Sequence, residues 1–134
     1  MRTIKYIVIH CADTYPEMDI GVTEIDRWHK QRGWKGVGYH YVIRRNGIIE
    51  VGRTETKTGA HVAGYNLNSI GICYAGGKGK NGKPEDNRTE AQKISLINLV
   101  TDLKIRYPEA KVVGHHDLNP AKSCPCFDMQ TLNI

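Results

Sequence analysis

The run Ile4-Lys5-Tyr6-Ile7-Val8-Ile9-His10 carries hydrophobic side chains on both faces, the pattern of a strand buried in a covered sheet. Alternation puts Tyr6, Val8 and His10 on one face and Ile7, Ile9 and Cys11 on the other. The polar stretch 12–21 reads as a loop at the strand's C-terminal end, where sites lie in open α/β sheets. Thr23 with Asp26 three residues on predicts a helix over Glu24 to Arg32 that stops at Gly33 and packs through Ile25, Trp28 and His29. Gly38 to Ile43 and Ile48 to Arg53 flank Arg44-Arg45-Asn46-Gly47 and predict an antiparallel hairpin. Gly59 to Gly64 has no period and reads as a small-residue loop lying close to something. Ser69 to Ala75 predicts another buried strand, and residues 76–87, rich in Gly, Lys and Asn, a solvated, mobile loop. Thr89 and Gln92 make a capping box that opens the longest helix, Glu90 to Arg106. Its wide apolar face is Ile94, Ile97, Val100 and Ile105 with Leu96, Leu99 and Leu103 beside them, and Tyr107-Pro108 ends it. Lys111 to Gly114 is a last short strand delivering His115, and Asp128 caps a turn from Met129.

At 134 residues the chain suits one hydrophobic core and is short for two, so one domain over 1–134 is expected. With 40% hydrophobic and 25% charged residues it is neither collagen-like, coiled-coil nor disordered. No stretch has the length to span a bilayer, and the N-terminal apolar core is too short for a secretory signal, so cytoplasmic synthesis is expected. The formal charge of +5 attracts polyanions, but Lys78, Lys80, Lys83, Lys93 and Lys104 are scattered, so charge names no partner. Of four cysteines, Cys11 and Cys73 read as buried strand residues, leaving Cys124 and Cys126 in a loop able to supply ligands.

The chemistry concentrates between Val112 and Asp128, where His115 and His116 are followed by Lys122, Cys124 and Cys126. Spacing alone balances metal binding against a polar turn. His10, an imidazole at the end of a core strand, tips it toward a metal. His10, His115 and Cys124 supply two imidazoles and a thiolate, which suit zinc and leave a fourth position for water, as in catalytic sites. Other candidates have plainer readings. His29 belongs to the core or its boundary. His40 follows Tyr39 on a strand, so it points to the other face and into the core. His61 divides evenly between substrate contact and structure. His116 reads as a hydrogen-bonding neighbour or a solvent-facing residue, and Asp117 and Asp128 as turn and cap residues, either of which could orient a ligand imidazole. Trp28 reads as core, and Trp34 as a candidate stacking platform.

The segments Ile-Val-Ile-His-Cys-Ala, Arg-Trp-His-Lys-Gln-Arg-Gly-Trp, Val-Gly-Tyr-His-Tyr-Val-Ile, His-Val-Ala-Gly-Tyr-Asn-Leu-Asn-Ser-Ile-Gly-Ile, Gly-His-His-Asp and Lys-Ser-Cys-Pro-Cys-Phe-Asp closely resemble the type 2 N-acetylmuramoyl-L-alanine amidases, in register over nearly the whole chain. Phage lysozymes of the amidase kind are the nearest look-alikes, and peptidoglycan recognition proteins are more distant. The resemblance implies an α/β fold, a central mixed β-sheet flanked by α-helices, and one zinc ion on His10, His115 and Cys124. It implies Tyr39 and Lys122 as catalytic residues, steadying the oxyanion or handling protons as the amide between muramic acid and L-alanine is hydrolysed. Peptidoglycan is then the partner, with no nucleic acid expected. A monomer is expected too, acting as an endolysin that reaches the wall through a separate membrane-permeabilising protein. The resemblance leaves open a regulatory protein partner. Two features depart from the pattern: nine positions separate His115 from Cys124, one more than in the phage lysozymes, and Cys126 stands where a small residue is usual. Cys126 would compete for zinc or pair with Cys124 on oxidation. The rival readings are a wall-binding module without turnover and a cysteine hydrolase using Cys124 or Cys126 as nucleophile.

Overall fold

Strand β1 (Tyr6–Cys11) lies between two parallel neighbours, β4 (Ser69–Tyr74) and β5 (Lys111–Gly114). Beyond β4 come the parallel β2 (Tyr41–Ile43) and then the antiparallel β3 (Ile49–Val51), giving a mixed sheet of order β3-β2-β4-β1-β5. The computed structural model describes residues 2–132. A strand flanked on both sides within the sheet and covered on both faces needs apolar side chains in both directions, and Ile7, Val8 and Ile9 are all fully buried.

Helix α2 (Glu90–Arg106) covers one face. Leu96, Leu99, Val100 and Leu103 pack on Ile7 and Ile9 of β1, Ile70, Ile72 and Tyr74 of β4 and Ile43 of β2. Helix α1 (Val22–Gln31) lies with the other face, where Ile20, Ile25, Val37, Val42 and Cys73 form a smaller cluster with Trp28 at its margin. The face that carries Val8 and His10 is therefore the one on which the site is built. A four-residue helix α3 (His115–Leu118) follows β5, and a 3-10 turn, Met129–Leu132, closes the described chain. Asp128 caps that turn by accepting the Gln130 N–H at 3.0 Å. No helix among the described residues is long and apolar enough to cross a membrane.

Several expectations are corrected. Thr23 does not cap α1: the N-cap is Gly21, whose N–H donates to Glu24 Oε1 at 2.7 Å, while Asp26 accepts from the Val37 N–H at 2.8 Å. Glycine needs no side chain to leave the helix path, so this cap has no signature at the cap position itself. The broad apolar face of α2 is narrower than its composition suggests, because Ile94, Ile97 and Ile105 are exposed, Ile105 by 75%. Gln92 is buried instead, donating to the Ala75 carbonyl at 2.8 Å. The hairpin ladder is shorter than predicted, covering three residues on each strand. The loop 76–87 is exposed at its tip but held at its base. Thr14 exchanges hydrogen bonds with Gly76 and Lys78, and Asn87 accepts from Gly77 and donates to the Lys78 carbonyl.

Candidate metal centre

Register brings the first two donors together. Ile9 of β1 lies opposite Gly114 of β5, so the next residues, His10 and His115, leave the sheet side by side with ring centroids 4.7 Å apart. The third donor comes from the loop after α3, held in place from three sides. Tyr74, buried on β4, donates its hydroxyl to the Pro125 carbonyl at 2.6 Å. The His116 N–H donates to the Cys124 carbonyl at 2.9 Å, and His116 Nδ1 lies 3.2 Å from the same oxygen. The Cys11 N–H points at Cys124 Sγ, 3.1 Å away.

One ligand atom each from His10, His115 and Cys124 lies within 4.8 Å of the other two. His10 Nδ1 sits 3.7 Å from Cys124 Sγ. Tetrahedral zinc bonds to nitrogen and sulfur imply an N···S edge of about 3.6 Å, so the His10–Cys124 edge already suits such an ion. Electrostatics agree. Burial, then the neighbouring His61 and His115, hold His10 well below the ordinary imidazole value. Burial and the charge of Lys122 lower His115. Both rings thus keep a free lone pair near neutral pH.

His61 has a place that sequence left open. It is 9% exposed, its Nδ1 is 2.8 Å from His10 Nε2, and its Nε2 is 3.0 Å from Ser69 Oγ. Its ring lies so flat on β4 that a Cβ at Gly71 would come within 2.7 Å of it. Ser69 and Gly71, two apart on β4, share the face on which His61 lies. Neither Asp117 nor Asp128 takes the role of orienting a ligand, since Asp117 accepts the Gly114 N–H at 2.8 Å and contacts His116 rather than His115.

Around the three donors opens a cleft of about 790 Å³ whose lining includes Tyr39, His61, Lys122 and Trp34. The Tyr39 ring stands 5.1 Å from that of His10, and burial raises its phenol well above the usual value, so it remains an O–H donor. His29 and His40 are structural, as their sequence positions imply. His29 Nδ1 accepts the Gly38 N–H at 2.9 Å, and His40, fully buried, accepts from Gly71 and contacts the Lys57 carbonyl. Trp34 stands on the rim, 40% exposed, with the Arg32 guanidinium 5.5 Å from its centroid. Cys126 corrects another expectation: its sulfur faces Cys11 at 3.4 Å, not Cys124.

A family model described as N-acetylmuramoyl-L-alanine amidase matches residues 1–127. The endolysin of Klebsiella phage KP32 is 48% identical over 124 residues, 92% of this chain and 82% of that protein. Among solved structures, N-acetylmuramoyl-L-alanine amidase LysC from Clostridium intestinale URNW superposes with a TM-score of 0.84 at 31% identity, covering 98% of this chain and 84% of its own. Drosophila PGRP-LB shares the fold, with a TM-score of 0.77 at 23% identity over 93% of this chain and 76% of its own.

Proposed function

We propose, starting from the fact that this chain belongs to the N-acetylmuramoyl-L-alanine amidase family, that it is a zinc-dependent endolysin acting through His10, His115 and Cys124. It is an N-acetylmuramoyl-L-alanine amidase that degrades cell wall. The observation that carries the zinc reading is the convergence of three donors of the right softness, within 4.8 Å of one another, at the floor of a cleft. Its substrate is peptidoglycan, cut at the amide between the muramyl lactyl group and L-alanine.

When bound, one zinc ion supplies a Lewis acid that polarises the amide carbonyl and makes water a better nucleophile at neutral pH. The chain's own groups do the rest. Tyr39 keeps its phenolic proton and offers it to the oxygen that gains charge as the carbonyl carbon becomes tetrahedral. Lys122, whose charge is felt at His115, presents an ammonium to the cleft that steadies the same oxygen or gives a proton to the departing L-alanine nitrogen. His61 orients His10, and its place in the cleft lining lets the same loop border the bound muropeptide. The protein works as a monomer, is made in the cytoplasm and meets the wall after release.

Digestion of purified peptidoglycan tests this. The protein is expected to release peptides bearing new L-alanine amino groups, to stop in a chelator, and to recover when zinc is restored. Release that ignores the chelator but ends on alkylation would make Cys124 a nucleophile instead. Muropeptide binding without new amines would leave only a recognition module.

A further inference from the structure

We propose that Cys11 and Cys126 are a disulfide-forming pair, a modification site for a disulfide oxidant, whose closure fastens the Cys124 loop to β1. The two residues stand 115 positions apart in the chain, yet their sulfurs are 3.4 Å from each other. A disulfide needs about 2.05 Å, so the sulfurs must approach by only about 1.4 Å. Both residues line the cleft, and Cys126, the half-buried one of the two, is the sulfur that a small reagent meets first.

Three features hold the pair in this arrangement. Pro125, between Cys124 and Cys126, is fixed by the Tyr74 hydroxyl at 2.6 Å. Cys126 follows in a tight turn, its N–H donating to the Ser123 carbonyl at 2.8 Å and its φ of +68° in the left-handed region, with its sulfur on Cys11. The space over Cys11 exists because residue 77 is glycine: a Cβ there would sit 2.6 Å from the Cys11 sulfur. Cys124 meanwhile faces His10 Nδ1, and Cys73 is fully buried. The division of sulfurs is therefore built in. One belongs to the metal centre, as proposed above, and two belong to each other.

The reaction is thiol–disulfide exchange. The half-buried Cys126 gives up its proton and attacks an oxidant RSSR, releasing one thiolate and forming a mixed disulfide. Cys11 then gives up its proton and attacks the Cys126 sulfur, expelling the second thiolate. The two released thiolates take up the two protons, so two cysteine thiols and RSSR become one protein disulfide and two RSH. Such exchange is disfavoured in a reducing cytoplasm and favoured on the wall side of the membrane. The bond would join the strand that carries His10 to the loop that carries Cys124 while leaving the ligand sulfur untouched.

Oxidised glutathione is the probe, applied to the whole protein with and without zinc and followed by alkylation and peptide mapping. Because mapping needs neither turnover nor metal, its outcome is separate from that of the zinc reading. Alkylatable thiols are expected to fall from four to two, with one cross-linked peptide pair joining Cys11 and Cys126 and a mass lower by two hydrogens. Tm should rise by about 5–10 °C over the reduced protein. Cys126→Ser and Cys126→Ala should lose both the cross-link and the shift. A cross-link through Cys124 or Cys73, a glutathione adduct left on Cys126, four thiols still free, or an unchanged Tm would each overturn the proposal.

Discussion

His61 Nδ1 lies against His10 Nε2, and this one contact sets the tautomers of two buried rings. If His10 offers the Nδ1 lone pair that faces Cys124, its proton must sit on Nε2 and be donated to His61. The proton of His61 then lies on Nε2, aimed at Ser69 Oγ. Partners of this kind raise ligand basicity and fix the orientation of the ring. His61→Ala is therefore expected to weaken zinc binding by about 10–100-fold in a chelator competition titration, while the fold persists by circular dichroism. An unchanged affinity would remove this role and return His61 to substrate contact. At this scale the sequence was partly legible. Cys124 and His115 stand out because donor types cluster, and His10 because a core strand ends on it. The link from His61 to His10 spans 51 positions and depends on how a loop folds over β4, which no local spacing encodes.

Helix α2 shows which local rules survive folding. Its start is legible because a capping box is a fixed-spacing chemical match: Gln92 N–H donates to Thr89 Oγ1 and Gln92 Oε1 accepts from the Thr89 N–H, each at 3.0 Å. Its buried face is not legible, because seven apolar residues surround the helix and the sheet can cover only one side. Ile94 and Ile105 lose that competition to Leu96, Leu99 and Leu103. The two classes should behave differently in urea unfolding. Leu103→Ala, at a position with no exposure, is expected to cost about 2–5 kcal/mol, whereas Ile105→Ala stays within about 0.5 kcal/mol of wild type. Equal losses would mean that the outer face of α2 is covered by something in solution.

Across the whole molecule, Glu55 ties the segment after β3 to both β2 and the end of α2. It accepts from the Tyr41 hydroxyl, the Tyr107 hydroxyl and the Arg106 guanidinium. Burial alone would raise its carboxyl, but hydrogen bonds from Arg106, Tyr41 and Tyr107 outweigh that and bring it down to about 2 from an unfolded value of 4.5. A carboxyl lowered on folding stabilises the native state above the unfolded value. That contribution is lost as pH falls from 4.5 through about 2. Glu55→Gln should accordingly reduce stability at neutral pH and flatten the decline between pH 4.5 and 2 in urea titrations. A variant that keeps the wild-type slope would exclude Glu55 as its source.

The spread of the candidate metal donors along the chain, at positions 10, 115 and 124, also bears on biosynthesis. A ribosome that has released the first 110 residues has made four of the sheet's five strands and its longest helix, yet only one of the three candidate donors. A polypeptide cut short anywhere before residue 124 therefore lacks at least one of the three donors and is expected neither to hold the ion nor to cut the wall.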